Sequence, residues 1–147
     1  MTAAPAVKAA ILSILTGLYA SQVPAVGVFY GRPEVEPDDY VAVTNIATES
    51  VTASFQGSTL PSTERHEVTV LVCTARFGGE SAQQVVTERA YELLGMLLDY
   101  LRTDGQTAVA GTDATVTGYF LEEAVAAAQL TKGRSAVITA TIVCEDL

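Results

Sequence analysis

Apolar residues recur with two different periods along the chain, and the change of period separates predicted helices from predicted strands. Between residues 5 and 21 they recur every three or four positions, which predicts an amphipathic helix, capped by Thr2, that ends before Pro24. A second helical stripe starts at Ser81, which forms a capping-box pattern with Gln84, and runs to about Arg102. The apolar members of this stripe are Val86, Ala90, Leu93, Leu94, Leu97 and Leu101.

Alternating apolar and polar residues predict the strands. The segments concerned are 26–30, 40–46, 51–55, 67–77, 115–129 and 135–144. Residues 67–77 are apolar on both faces in the middle of the segment, which favours a central strand. Most of the strands follow one another through turns, which is typical of hairpins. The pattern therefore predicts one α+β domain over residues 1–147, with a mostly antiparallel sheet packed against two helices.

Composition narrows the classes of function. The 147 residues are 49% hydrophobic and carry a formal net charge of −9, and they contain no basic run. This balance argues against direct binding to nucleic acid or to an anionic membrane, because both depend on Lys and Arg. Cys73 and Cys144 each lie in an apolar run, which favours buried free thiols in a reducing cytosol over a disulfide between neighbouring strands.

One segment is strongly acidic. Residues 34–64 contain six acids and no Lys or Arg, and four of these acids lie in a proline-containing loop over residues 31–39. The loop lacks the ligand spacing of a calcium site, so the remaining interpretations are a solvated loop or a contact with a partner. We expect a partner contact. The predicted interface residues are Phe29, Tyr30, Arg32, Glu34, Glu36, Asp38 and Asp39.

The residues that usually perform chemistry form no recognisable pattern. His66 is the only histidine, and we expect it to be partly exposed at a strand edge. Gly78 and Gly79 precede a helix, but Glu80 and the missing lysine argue against a phosphate site. The sequence therefore predicts no catalytic, cofactor or metal site, and it favours a binding or assembly subunit over an enzyme.

Three segments resemble the tail-terminator (tail-completion) proteins of long-tailed bacteriophages. The first is VPAVGVFYGRPEVEPDDYVAV, which directly follows the N-terminal helix. The second is HEVTVLVCTARFGGESAQQVVTERAYELLGMLL, a strand followed after two glycines by the long helix, and the third is the closing strand GRSAVITATIVCED. The resemblance covers most of the chain and lies in the order of elements rather than in an invariant motif.

The resemblance implies a structural, non-enzymatic virion protein of the tail or neck, assembled in the host cytoplasm. Such a subunit forms a homo-oligomeric ring, a hexamer, that binds the major tail tube protein, stops its polymerisation and joins the head–tail connector protein. DNA passes through the ring without being specifically bound, and a net negative subunit agrees with this. Two alternatives remain: a head-side neck connector or stopper, and a small-molecule-binding α+β oligomer. Ring stoichiometry, host and tail type are left open.

Overall fold

Two helices and one five-stranded sheet form the described part of the chain, which the computed structural model gives as residues 4–51, 63–104, 109, 111–125 and 133–146. The elements are α1 (Ala4–Tyr19), β1 (Gly27–Tyr30), β2 (Asp39–Val51), β3 (Thr63–Phe77), α2 (Glu80–Asp104), β4 (Thr112–Val125) and β5 (Gly133–Asp146). The strand order is β1-β2-β3-β5-β4, and every pair except the parallel β1–β2 pair is antiparallel. The prediction of an α+β fold with a mostly antiparallel sheet is confirmed.

The middle strand is β3, as its two apolar faces predicted. Val68, Val70 and Val72 are fully buried on the side that packs against the helices. Leu71 and Cys73 point to the other face, where they form a smaller cluster with residues of β2. A strand flanked on both sides and covered on both faces needs apolar residues at consecutive positions, and this requirement explains the sequence pattern.

Both helices cover the same face of the sheet. The buried stripe of α1 is Val7, Ile11, Leu15 and Tyr19. All six apolar residues predicted for the stripe of α2 are buried. The hydroxyl of Tyr19 donates a 2.6 Å hydrogen bond to the backbone carbonyl of Leu93, which ties the end of α1 to the middle of α2. Neither described helix has both the length and the apolar composition needed to cross a membrane.

Several element ends differ from the prediction. The capping box does not form, because α2 begins at Glu80 and Gln84 donates its side-chain amide hydrogen bond forward to Glu88. The predicted strand over 40–46 continues to Val51, since polar residues on a hairpin arm still pair through their backbone. The predicted cap Thr2, the rest of the strand predicted over 51–55 and residues 126–129 lie outside the described residues.

The parallel pairing of β1 with β2 was not expected, because parallel neighbours usually need a longer crossover. Here β1 has only four residues, so residues 31–38 are long enough to bring the chain back beside Gly27, where β2 begins to pair with β1. Gly31 begins this return with a φ of +85°, a conformation that disfavours other residues. A Cβ at Gly27 would lie 2.6 Å from Phe29 and 3.2 Å from Pro37, so glycine allows the returning segment to pack closely.

The packing of α2 predicts a large penalty for a charge in its buried stripe. Leu97→Asp should lower the free energy of unfolding by about 3 kcal/mol or more, because an unpaired carboxylate would be buried against the sheet. Val85→Asp is the matched control, since Val85 lies on the same helix and is 51% exposed. Urea unfolding monitored by circular dichroism measures both. Equal midpoints for the two variants would contradict this packing.

Candidate assembly surfaces

Residues 31–38, here called the acidic loop, lie across the face of the sheet that the helices leave open. Arg32 and Glu36 line a cavity of about 260 Å³ together with Tyr40, Cys73 and Val137 of that face. The Tyr40 hydroxyl donates to a Glu36 carboxylate oxygen at 3.1 Å, and the backbone N–H of Ala75 donates to the Asp38 carbonyl at 2.8 Å. The loop is therefore fastened to β2 and β3.

Most residues predicted as a partner interface are accessible on this loop or just before it. Tyr30, Arg32, Glu34, Glu36 and Asp38 are exposed. Phe29 is half-buried, with its ring edge-to-face against Tyr40 at a centroid distance of 6.0 Å. Their contact with a partner stays a prediction.

Asp39 behaves differently from the other acids. It is only 1% exposed, and its carboxylate accepts hydrogen bonds from Arg76 at 2.6 and 2.9 Å. Arg89 donates from Nε to the same carboxylate at 3.4 Å. Residues 34–64 contain no Lys or Arg, but β3 and α2 bring to Asp39 two arginines that are distant in sequence. Asp39 holds the fold together rather than facing outward.

Arg89 extends this network to the connection between α1 and β1. Its guanidinium donates to the Gln22 side chain at 3.2 Å, the Pro24 carbonyl at 2.9 Å and the Glu92 carboxylate at 3.0 Å. The hydrogen bond to Asp39 raises the pKa of Arg76 above its ordinary value, so the Arg76 guanidinium stays charged. Sequence analysis missed Arg89, although a charged residue within the buried stripe of α2 was a usable signal.

The outer edge of β4 is the second surface, and the sequence did not single it out. No strand within the described ranges pairs with β4 on the side away from β5. Tyr119 and Phe120 are 49% and 55% exposed there, and Tyr119 packs edge-to-face on Tyr91 of α2 at 6.4 Å. Long exposed edges with apolar side chains are sites of strand addition from other chains.

A groove of about 530 Å³ lies between the start of α2 and the far end of β4. Its polar walls include Gln83, Thr87, Glu123 and Arg134. Thr87 donates to the Glu123 carboxylate at 2.7 Å, and Gln83 donates to the backbone carbonyl of Ser135 at 3.2 Å. These two hydrogen bonds hold the ends of β4 and β5 at a fixed distance from α2.

The environment of His66 corrects the sequence prediction. His66 is fully buried in β3 between β2 and β5, whereas we expected a partly exposed residue at a sheet edge. A 2.9 Å hydrogen bond joins its Nδ1 to the Thr48 hydroxyl, and a Glu64 carboxylate oxygen lies 3.4 Å from Nε2. The chain continues as strand before residue 67, so the histidine falls inside the sheet.

Both cysteines are buried free thiols, as predicted. Cys144 belongs to the cluster under the helices, whereas Cys73 belongs to the cluster on the open face. Because the two side chains lie on opposite faces, they form no disulfide. Burial raises the pKa of Cys73 and raises that of Cys144 to about 11, so both thiols are protonated and weakly nucleophilic at neutral pH.

The fold defined here is a five-stranded α+β sheet with two helices on one face. No protein-family model matches the sequence, and no curated protein matches it. A solved structure whose name states no function aligns over 100% of this chain and 98% of its own, with a TM-score of 0.54 at 15% identity. A chain from the virion of a native gene transfer agent (GTA) particle aligns over 90% of this chain and 85% of its own, with a TM-score of 0.39 at 14% identity. The first similarity shows a shared fold, and the second is too low to support an inference.

The buried network predicts that substitutions of Asp39 and of its neighbour Asp38 differ sharply in their effect on the free energy of unfolding. Asp39→Asn should lower the free energy of unfolding by about 3–5 kcal/mol, because Arg76 and Arg89 would both lose the buried carboxylate that pairs with them. Asp38→Asn should change it by about 0.5 kcal/mol or less, since that side chain is exposed. Thermal or denaturant unfolding measures both, and an equally mild effect of the two changes would contradict the network.

Proposed function

We propose that this chain is a structural subunit of a phage or phage-like virion, and specifically the tail terminator. In this proposal it forms a hexameric ring that caps the tail tube, stops its polymerisation and joins the head connector, without catalysing a reaction. One observation carries the proposal: among the described strands, both outer edges of the sheet are unpaired, and the β4 edge exposes aromatic side chains. A subunit with two different open edges can associate head to tail and close into a ring.

The order of the elements supports the same proposal. A short α1 leads into β1, the acidic loop follows, and the central β3 is followed after two glycines by the long α2. The chain then closes with the hairpin of β4 and β5. This is the order in which the sequence resembles tail terminators.

Charge agrees with a ring that encloses DNA. The chain carries a formal net charge of −9, so a ring of several copies repels the phosphate backbone rather than gripping it. The sequence thus fits a channel through which DNA passes without being specifically bound.

We assign the acidic loop to the contact with the tail tube protein or the head connector. Glu34, Glu36 and Asp38 are exposed on a loop whose ends are hydrogen-bonded to β2 and β3. An anchored loop loses less conformational entropy on binding than a free one, and its charge selects a basic patch on the partner.

Reversing the charge of this loop tests the assignment. The double variant Glu34→Lys and Asp38→Lys, which keeps the hydrogen bond between Glu36 and Tyr40, should fold normally and reduce the yield of infectious particles at least about tenfold, since one lost contact of 1.4 kcal/mol costs this factor. Asp39 is left unchanged because the fold needs it. The matched control reverses two exposed acids of α2, Glu88 and Asp104. Equal particle yields from the two double variants would refute the assignment.

Deleting the gene for this chain tests the role itself. We expect tails of uncontrolled length, or tails that do not join heads, when particles are imaged by electron microscopy. Complementation with the wild-type chain should restore normal particles. Normal tails of normal length would exclude a terminator, and a defect confined to filled heads would instead support the alternative of a head-side connector.

A further inference from the structure

Among the described strands, β1 and β4 form the two unpaired edges of the sheet, and residues of one edge lie in register with residues of the other. Each strand pairing has a defined register, so rows of residues can be followed from β1 to β4. One row consists of Phe29, Ala42, Leu71, Thr139 and Phe120. The next row consists of Tyr30, Val43, Val70, Ala140 and Tyr119. Each of these rows therefore begins and ends on an aromatic residue.

The strand directions are compatible with joining these edges. β1 runs parallel to β2, β2 and β5 each run antiparallel to β3, and β4 runs antiparallel to β5. β1 and β4 therefore run in opposite directions. A second copy placed beside the first, with its helices on the same side, brings its β1 antiparallel to the β4 of the first copy without inversion or a shift along the strands.

From this geometry we propose that copies of this chain associate by antiparallel pairing of β1 of one copy with β4 of the next, with Tyr30 opposite Tyr119. The proposal rests on the ring of the proposed function and names its interface. Phe29 then lies opposite Phe120, and Val28 opposite Leu121. Aromatic and apolar pairs directly across an antiparallel ladder stabilise it by about 0.2–1 kcal/mol each.

The alternation of faces agrees with this register. Phe29 and Phe120 both lie in a row that includes Leu71, on the open face of the sheet. Tyr30 and Tyr119 both lie in a row that includes Val70, on the face of the helices. A shift by one residue would place each aromatic side chain on the opposite face from its counterpart, so the matched register is favoured.

Tyr30 and Tyr119 each contact one side chain of a helix, and each ring stays partly exposed. Lys8 of α1 places its ammonium 4.0 Å from the centroid of Tyr30, and Tyr91 of α2 packs against Tyr119. Tyr30 is still 56% exposed and Tyr119 49% exposed. Joining the edges would cover both rings and extend the contact from α1 of one copy to α2 of the next.

Directed disulfide formation tests the pairing. One preparation carries Tyr30→Cys and another carries Tyr119→Cys, and the two are mixed and oxidised under mild conditions. We expect a cross-linked dimer on a non-reducing gel from the mixture and none from either variant alone. The native cysteines are buried and do not compete. Mixing Tyr30→Cys with Leu121→Cys is the register control, two residues further along the same face, and should give at least about fivefold less product because diagonal neighbours lie about 7–8 Å apart.

A second variant separates loss of assembly from loss of folding. Phe120→Lys should weaken association at least tenfold in sedimentation velocity while keeping the wild-type melting temperature, because Phe120 is 55% exposed. Phe77→Lys is the matched control, since Phe77 is 76% exposed at the end of β3 and not on a sheet edge. Equal association of the two variants would overturn the proposal.

The remaining outcomes distinguish the interface from the function. Wild-type rings without cross-linking between Tyr30→Cys and Tyr119→Cys would overturn the pairing and leave the terminator role standing. Cross-linking of Tyr119→Cys with itself would show two-fold β4–β4 pairing and overturn the pairing as well. A wild-type chain that stays monomeric at every concentration would contradict both the ring and its interface.

Discussion

The arrangement of the described chain depends on the ion network around Asp39. A carboxylate that is 1% exposed is stable only if it is fully paired, and it is held here by Arg76 of β3 and Arg89 of α2. Arg89 also binds the Pro24 carbonyl in the segment that leads to β1. The start of β2, the end of β3, the long helix and the approach to β1 are therefore fixed relative to one another, and the position of β1 as an edge strand follows from this.

The main apolar core lies on one face of the sheet, and the exposed surfaces lie on the opposite face and at the edge strands. Both helices pack on the same face of the sheet, while the acidic loop covers part of the opposite face. The exposed aromatic residues Tyr30, Tyr119 and Phe120 lie on edge strands. Two different edges whose residues lie in register favour repeated head-to-tail addition, and a net negative charge suits a channel for DNA. These features together support the proposed ring.

The hydrophobic pattern of a single segment correctly predicted the features that depend on the burial of that segment alone. The stripe of α2 and the central position of β3 were correct because apolar residues alone determine which face packs inward. Asp39, Arg76 and Arg89 could not be grouped from the sequence, since their contact depends on which strands become neighbours. His66 was placed wrongly for the same reason, because strand pairing on both sides buries it. The matched edges of β1 and β4 appear only once all four strand registers are known.

Imaging of the purified wild-type chain tests the central claim most directly. If copies join head to tail with constant rotation, class averages from negative-stain electron microscopy will show closed rings of uniform diameter, with rotational symmetry and a central opening. The account predicts hexameric rings built from the 15.4 kDa chain. Two-fold dimers, open filaments or particles no larger than a single chain at every concentration would contradict it.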